Sequence, residues 1–329
     1  MGIFLRGNLR KWSESVQAKS DGKPTTVLVT GGTDGLGRAT ALLFASEGYR
    51  VFAAGRNAEK RAALDSEARK RNLPLETLEL DVTSDESADR AIAEIERRAG
   101  PLEVLVNNAG VAVAAAMEEI SIDDLRRQFE TNVFSMVRMA QRVLPGMRAR
   151  RRGCIVNMSS IAGRTSNPLM GPYSGSKHAV EAISDAMRME LASFGIRVVM
   201  IEPGFIPTNI GQASAEISSR YTGNAATSPY APVYLGFLQL WRKIMANAKS
   251  TPEDCARLIL GAVRSASPRA RYLVTREAKM TAAMRWLLTD RQLDRLTMKM
   301  MGLNRPRVAT PDPASIRKEI EEMVRPRPR

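Results

Sequence analysis

The run "VLVTGGTDGLGRAT", Val27 to Thr40, constrains this chain more than any other segment. A short β-branched run ends at Thr30. Gly31, Gly32, Gly35 and Gly37 crowd the next seven positions, and Leu36, Ala39 and Leu43 then fall at helical spacing. Glycine permits a sharp turn, a close approach to a ligand, and tight packing of the following helix on its strand. At the start of that helix, free N–H groups and the positive end of the dipole attract an anion. The order strand, glycine turn, helix therefore predicts a pyrophosphate site made by Gly31, Thr33, Asp34, Gly35, Leu36 and Gly37. The spacing Gly31-x-x-x-Gly35-x-Gly37 departs from the commoner G-x-G-x-x-G, so the strand–turn–helix setting carries the reading.

From Thr25 to about Val274, short β-branched runs alternate with longer amphipathic segments, the pattern of a parallel sheet covered by helices on both faces. The expected fold is α/β, a Rossmann-type doubly wound parallel sheet in one domain (25–275), preceded by a basic segment (1–24) and followed by a helical extension (276–329). Strands are predicted near 25–30, 50–54, 75–80, 103–106, 154–158, 196–201 and 271–274, with long helices near 122–144 and 173–193. Residues 205–235 break the alternation with Ser, Thr, Asn, Gly and Pro among Ile210, Ile217, Tyr221, Tyr230 and Tyr234. They read as a long functional loop, a lid over an apolar substrate. Beyond it, helices are expected near 277–288 and 290–301, stopped at Gly302, before a proline-rich arm.

The end of the second strand discriminates between cofactors. An Asp or Glu about 20 residues after the glycines would bind a ribose 2′-hydroxyl and repel a 2′-phosphate, whereas "VFAAGRN" offers Gly55 and Arg56. A guanidinium grips phosphate through a fork of N–H donors, so NADP(H) is favoured over NAD(H). Asp81, ending "LELD", is read either as an acceptor for the adenine amino group or as the start of a local turn.

These features, with "NNAG" (107–110), "NMSS" (157–160) and "YSGSK" (173–177), resemble the short-chain dehydrogenase/reductase family from about Thr25 to Ile210. The stretches "GPYSGSKHAVEAISDAMRMEL", "IEPGFIPTNI" and "RARYLVTREAK" are similar to its retinol and 17β-hydroxysteroid dehydrogenase branch. The resemblance implies a catalytic tetrad of Asn132, Ser160, Tyr173 and Lys177. It also implies cofactor contacts from Asp81, Val82, Asn107, Asn108, Ala109, Gly110, Tyr173 and Lys177, with Pro203, Gly204, Ile206 and Thr208 along the nicotinamide. The implied activity interconverts a lipophilic alcohol and its ketone or aldehyde, of steroid, retinoid or long-chain type, by hydride transfer. A homo-oligomer, dimer or tetramer, is implied with it.

The residues themselves support such chemistry. Tyr173 and Lys177 are four apart, so on a helix they share a face. An ammonium beside a phenol favours the phenolate and is expected to lower its pKa from about 10. A tyrosine so tuned passes a proton to or from the substrate oxygen, and Ser160 steadies the charge that develops there. Asn132 is expected to hold a water at the end of a proton relay. The lone histidine, His178, points roughly 100° around the helix from Lys177 and is read as a packing residue. No Cys/His/Asp cluster points to a metal, and Cys154 and Cys255 read as buried, reduced thiols.

The formal charge of +14 belongs to the ends: 264–329 carries +9 and 1–24 carries +3. Met284, Trp286, Leu287, Leu288, Leu293, Leu296, Met300 and Leu303, interleaved with Arg and Lys, make the C-terminal helices basic and amphipathic. Leu5, Leu9, Trp12 and Val16 repeat the theme. These surfaces suit packing on protein, or peripheral contact with an anionic membrane. No uninterrupted apolar run approaches the ~20 residues of a membrane span, and "MGIFLRGNLRKW" breaks at Arg6, short of the ~7–15 residues of a secretory core. A cytoplasmic protein is expected, peripherally membrane-associated if the basic ends are used. Nucleic acid is not expected, because no recognition motif accompanies the basic ends. The alternative class is a catalytically silent dinucleotide-binding scaffold docked through those ends on acidic lipid or nucleic acid, and the complete tetrad argues against it.

Overall fold

The inner strands of the sheet are buried from both sides, because helices cover both faces, while the two edge strands keep partial exposure. The computed structural model describes residues 19–20, 23–207 and 212–304. A two-residue ribbon, Lys19–Ser20 against Lys23–Pro24, precedes the first long strand. The strands are β1 (Thr26–Thr30), β2 (Arg50–Gly55), β3 (Leu75–Glu79), β4 (Val104–Asn107), β5 (Gly153–Met158), β6 (Ile196–Glu202) and β7 (Arg271–Leu273). They form one parallel sheet in the order β3-β2-β1-β4-β5-β6-β7. The order reverses between β1 and β4, and the crevice at the carboxyl ends of those two strands is where such a sheet binds ligands.

The two-residue side-chain period assigns each strand to both cores. Val27 and Val29 point to one face, with Val51, Ala53, Val104 and Val156. Leu28 points to the other, with Phe52, Ala54, Leu105 and Ile155. The first face is covered by α1 (Gly35–Ser46), α2 (Ala58–Lys70) and α9 (Pro252–Arg264), through side chains such as Phe44, Leu64 and Ile259. The second is covered by α3 (Asp85–Ala99), α5 (Ser135–Ala149) and α6 (Gly171–Leu191), through Ile92, Met139 and Met187.

Two elements depart from the sequence reading. The helix expected over 122–144 is α4 (Ile122–Phe129), a π-turn at Glu130–Phe134, and α5, which continues through Pro145 to Ala149. The loop expected over 205–235 is largely helical: α7 (Gln212–Gly223), a 3₁₀ turn at Ala225–Thr227, and α8 (Ala231–Asn247). Polar residues misled there because tertiary contacts override weak local propensity. The tyrosines of that stretch anchor it to the body of the fold. Tyr221 Oη donates to Asp124 at 2.6 Å, Tyr230 Oη to Glu118 at 2.5 Å, and Tyr234 Oη to Glu119 at 2.8 Å. Ile210 lies outside the described residues, as do the amphipathic N-terminal segment and the proline-rich arm, and the side chain of Ile217 is not among those described. The last two helices are α10 (Arg276–Leu287) and α11 (Asp290–Met300), followed by Gly302 with φ 71°.

Candidate active site

The glycine turn leaves β1 with φ values of 61° at Gly31 and 51° at Gly35, a region that disfavours any residue with a Cβ. A Cβ on Gly31 would lie 3.1 Å from the Ala109 backbone, and one on Gly37 would strike the Gly31 carbonyl and the Asn108 amide. Gly37 thus lets α1 close on the turn, while Gly31, Thr33, Asp34, Gly35 and Leu36 face the cavity. Asn108 fastens the neighbouring loop, its Nδ2 donating to Thr30 O at 2.9 Å and to Gly31 O at 3.2 Å. Ala109 N–H donates to Thr30 Oγ1 at 3.0 Å, and Ala109 and Gly110 line the cavity.

Asn107 departs from expectation. Its side chain follows the strand period to the α5–α6 side, where Nδ2 donates to Asn157 Oδ1 at 2.9 Å, and Asn157 in turn donates to Ser184 at 2.8 Å. Its side chain braces the interior beneath the site and does not line the cavity.

Arg56 and Asp81 face each other across the cavity rim, with Arg56 Nη1 3.8 Å from Asp81 Oδ2. Asp81 Oδ1 also accepts from Thr83 N–H at 3.0 Å and Thr83 Oγ1 at 2.7 Å, which is the local turn. Burial raises the Asp81 carboxyl, but the Thr83 hydrogen bonds and then Arg56 outweigh it, so the pKa lies below the ordinary carboxylate value. Val82 lines the same wall. Lys60, missed in the sequence reading, completes it: Nζ lies 2.5 Å from Asp34 Oδ2, and both side chains are about a third exposed. Asp34 Oδ1 accepts from Gly35 N–H at 2.8 Å and caps α1. Lys60 thus neutralises the one carboxylate in the glycine turn, as Arg56 faces Asp81 across the rim. The only signal in the sequence was a basic residue four places after Arg56.

Tyr173 and Lys177 rise from the first turns of α6 on one face, as their spacing requires. Lys177 is buried and donates from Nζ to Met158 O at 2.7 Å, with Nζ 5.7 Å from the Tyr173 ring centre. Burial lowers Lys177 to about 8, opposed by the charge of Glu181. The phenol differs from expectation: burial pushes the Tyr173 pKa up, and the group pulling it down is the Ser160 hydroxyl, not the lysine. Ser160 begins a 3₁₀ turn, accepting from Ala162 N–H at 3.1 Å and donating to Pro203 O at 3.4 Å. Pro203 O also accepts from Ile161 N–H at 2.9 Å, so the loop of Pro203, Gly204 and Ile206 is tied to the serine. A Cβ on Gly204 would strike Thr275 Oγ1, so the base of α10 backs this loop. Thr208 lies outside the described residues.

Asn132 occupies the π-turn and is 4% exposed. Its Oδ1 accepts from Val111 N–H at 2.8 Å, and its Nδ2 donates to Val111 O at 2.9 Å and Ser176 Oγ at 3.0 Å. Both Nδ2 hydrogens are thus spent within the protein, and Oδ1 keeps one further acceptor site. The amide braces α6 against the loop after β4, and Thr131 faces the cavity in its place. His178, exposed at the cavity edge, has Nδ1 2.9 Å from Ser174 O.

An ionic ladder lies behind Lys177. Arg271 contacts Glu181 at 2.8 Å, Asp185 at 2.5 Å and Glu202 at 3.4 Å, and Arg164 meets Glu202 at 2.7 Å. It joins α6, β7 and the residue before the Pro203 loop.

The glycine turn, Arg56, Lys60, Asp81, Ser160, Tyr173 and Lys177 open on one cavity of about 1210 Å³. Its inner end holds the glycine turn, Ser160 and Tyr173, and its outer walls are Phe205, Phe237, Leu240, Trp241, Ile244 and Met284. Trp241 packs edge-on against Phe205 at 5.3 Å and stacks on Phe237 at 5.9 Å. A glycine cradle with no room for a Cβ, a helix start and a basic rim at the sheet's switch point fit a dinucleotide.

The family model for short chain dehydrogenases matches residues 25–218, so the chain belongs to that family, whose members are oxidoreductases of carbonyl and alcohol groups that bind a nicotinamide dinucleotide. It is similar to the NADPH-dependent 3-dehydrocapnine reductase of Ornithobacterium rhinotracheale, 37% identical over 83% of this chain and 95% of that protein. It is also similar to human retinol dehydrogenase 8, 32% identical over 74% of this chain and 79% of the other. Among solved structures it superposes on actinorhodin polyketide ketoreductase with NADPH, with a TM-score of 0.65 and 28% identity, covering 76% of this chain and 94% of that one.

Proposed function

We propose that this protein is an NADP(H)-dependent oxidoreductase that interconverts a lipophilic alcohol, of long-chain, steroid or retinoid type, and its ketone or aldehyde. The observation that carries the proposal is the continuity of the cavity: Tyr173 and Ser160 stand where the glycine-turn end meets a wall of Phe205, Phe237, Leu240, Trp241 and Ile244. Apolar area contributes roughly 25 cal/mol per Å² removed from water, so such walls hold a hydrocarbon body while a carbonyl reaches the hydroxyls. The names of two similar proteins, a reductase dependent on NADPH and a retinol dehydrogenase, support the reading.

The residues for the dinucleotide are Gly31, Thr33, Gly35 and Leu36 for the pyrophosphate, Arg56 with Lys60 for a 2′-phosphate, and Pro203, Gly204 and Ile206 beside the nicotinamide. When bound, the nicotinamide supplies or accepts hydride at the substrate carbon. In reduction Tyr173 gives its proton to the carbonyl oxygen, and its upward-shifted pKa keeps that proton available at neutral pH. Ser160 donates a hydrogen bond to the same oxygen as negative charge grows on it. Lys177, held by Met158 O, presents its charge behind the phenol.

The test is turnover of a panel of long-chain, steroidal and retinoid carbonyls with NADPH and with NADH, followed at the reduced-nicotinamide absorbance. Activity with apolar members and NADPH supports the proposal. A preference for small polar carbonyls contradicts the substrate class, and a preference for NADH contradicts the cofactor.

A further inference from the structure

The outer end of the cavity is closed by α10 and α11, whose inward residues Met284, Leu293, Leu296 and Met301 line it. Their other surfaces are unusual. Trp286 is 86% exposed and Leu287 68%, adjacent at the end of α10 and outside the cavity lining. An isolated exposed leucine is ordinary, but an aromatic and an aliphatic side chain standing together at the tip of a helical hairpin form a patch. Around it the charge is basic: Arg291, Arg295 and Lys299 repeat every four residues along α11 and are exposed, and Arg276 and Lys279 are exposed on α10.

From this geometry we propose that the α10–α11 hairpin docks on an anionic phospholipid bilayer, with Trp286 and Leu287 entering the interface and the basic stripe resting on the headgroups. Two observations select this occupant. The charge on the hairpin complements an anionic surface, and each basic residue near such a surface contributes attraction that falls within a Debye length. The same two helices form the cavity's outer wall, so docking sets the apolar entrance against the phase in which a lipophilic substrate dissolves. Among the described residues no helix is long and apolar enough to cross a membrane, so the contact is interfacial. The purpose of docking rests on the proposed lipophilic substrate, while the docking itself is measured without turnover.

The experiment is co-sedimentation of the full chain with vesicles of phosphatidylcholine, alone or mixed with phosphatidylglycerol, at low and high salt. The expected result is binding to the mixed vesicles that salt weakens. A Trp286→Ser/Leu287→Ser variant should lose it, and an Arg291→Gln/Arg295→Gln/Lys299→Gln variant should bind roughly 100-fold more weakly, about fivefold per charge. These side chains are exposed and outside the cavity lining, so helical content and NADPH binding should stay unchanged and report folding. Absence of binding to mixed vesicles overturns the proposal, as does equal binding by both variants. A wild-type dimer that the Trp286→Ser/Leu287→Ser variant turns into monomer, with neither form binding vesicles, would assign the patch to a second copy of the chain and overturn it likewise.

Discussion

Lys177 is buried and Tyr173 partly so, and desolvation moves them in opposite directions: the phenol keeps its proton more firmly and the ammonium, at about 8, less firmly. Carbonyl reduction needs the protonated phenol and is helped by the charged lysine, so kcat/KM for reduction is expected to be level below pH 7 and to fall as pH rises through about 8. Glu181 supports the lysine's charge, so Glu181→Gln should move that limb to lower pH, and a limb that stays in place would remove the carboxylate from the account. At the other end of the cavity, Arg56→Ala should raise KM for NADPH by about 10–100-fold, the worth of one charged hydrogen bond, and leave KM for NADH little changed, whereas Lys60→Ala bares Asp34 in the glycine turn and should raise both. Steady-state kinetics with both cofactors checks this. Arg56 was legible from its place after the second strand. Lys60 was not, because its approach to Asp34 is a contact between α2 and the glycine turn that no local pattern encodes. Asn107 shows the converse: the motif was legible, but the strand period turns that side chain into the interior.

The ladder of Arg271 joins three elements that must keep register for the chemistry: α6 with Tyr173 and Lys177, the Pro203 loop, and β7. Glu202 is fully buried and Arg271 keeps 29% exposure, so Arg271→Met strands Glu202 and Glu181 in part. The loss should be about 2–4 kcal/mol in denaturant unfolding, below the ~3–5 for breaking a fully buried pair. A loss within error of zero would show the ladder to be solvated. The glycine turn makes a second test. Gly37→Ala places a methyl against the Gly31 carbonyl and Asn108, so it should weaken nucleotide binding in a calorimetric titration as α1 backs away. The sequence revealed these elements unevenly. The strand ends agree within about two residues because both faces are buried and their apolar runs are sharply bounded. The π-turn was invisible, since "ETNVF" carries a helical pattern and only the inward turn of Asn132 marks it.

The fold as a whole follows from two cores divided by one sheet. Leu28, in the inner strand β1, contributes to one core while its neighbours Val27 and Val29 contribute to the other. Leu28→Ala should therefore cost about 2–5 kcal/mol in thermal or denaturant unfolding, with the site's geometry retained in the folded fraction. This division was written in the alternating pattern of the chain, and so was the position of the ligand crevice. The apolar wall was not: Phe237 and Trp241 come from α8, most of which lies beyond the expected loop, and the tyrosines expected to close on substrate are spent on Asp124, Glu118 and Glu119. Every functional claim made for the molecule depends on Tyr173 and the nicotinamide acting on a single carbon–oxygen bond inside this cavity. Single-turnover reduction of an apolar ketone with NADPH deuterated at C4, comparing wild type with Tyr173→Phe, reads that directly. The expected result is deuterium on the carbinol carbon in step with cofactor oxidation, and a rate at least about 100-fold lower in the variant at unchanged cofactor affinity. Equal rates in the two proteins would contradict it.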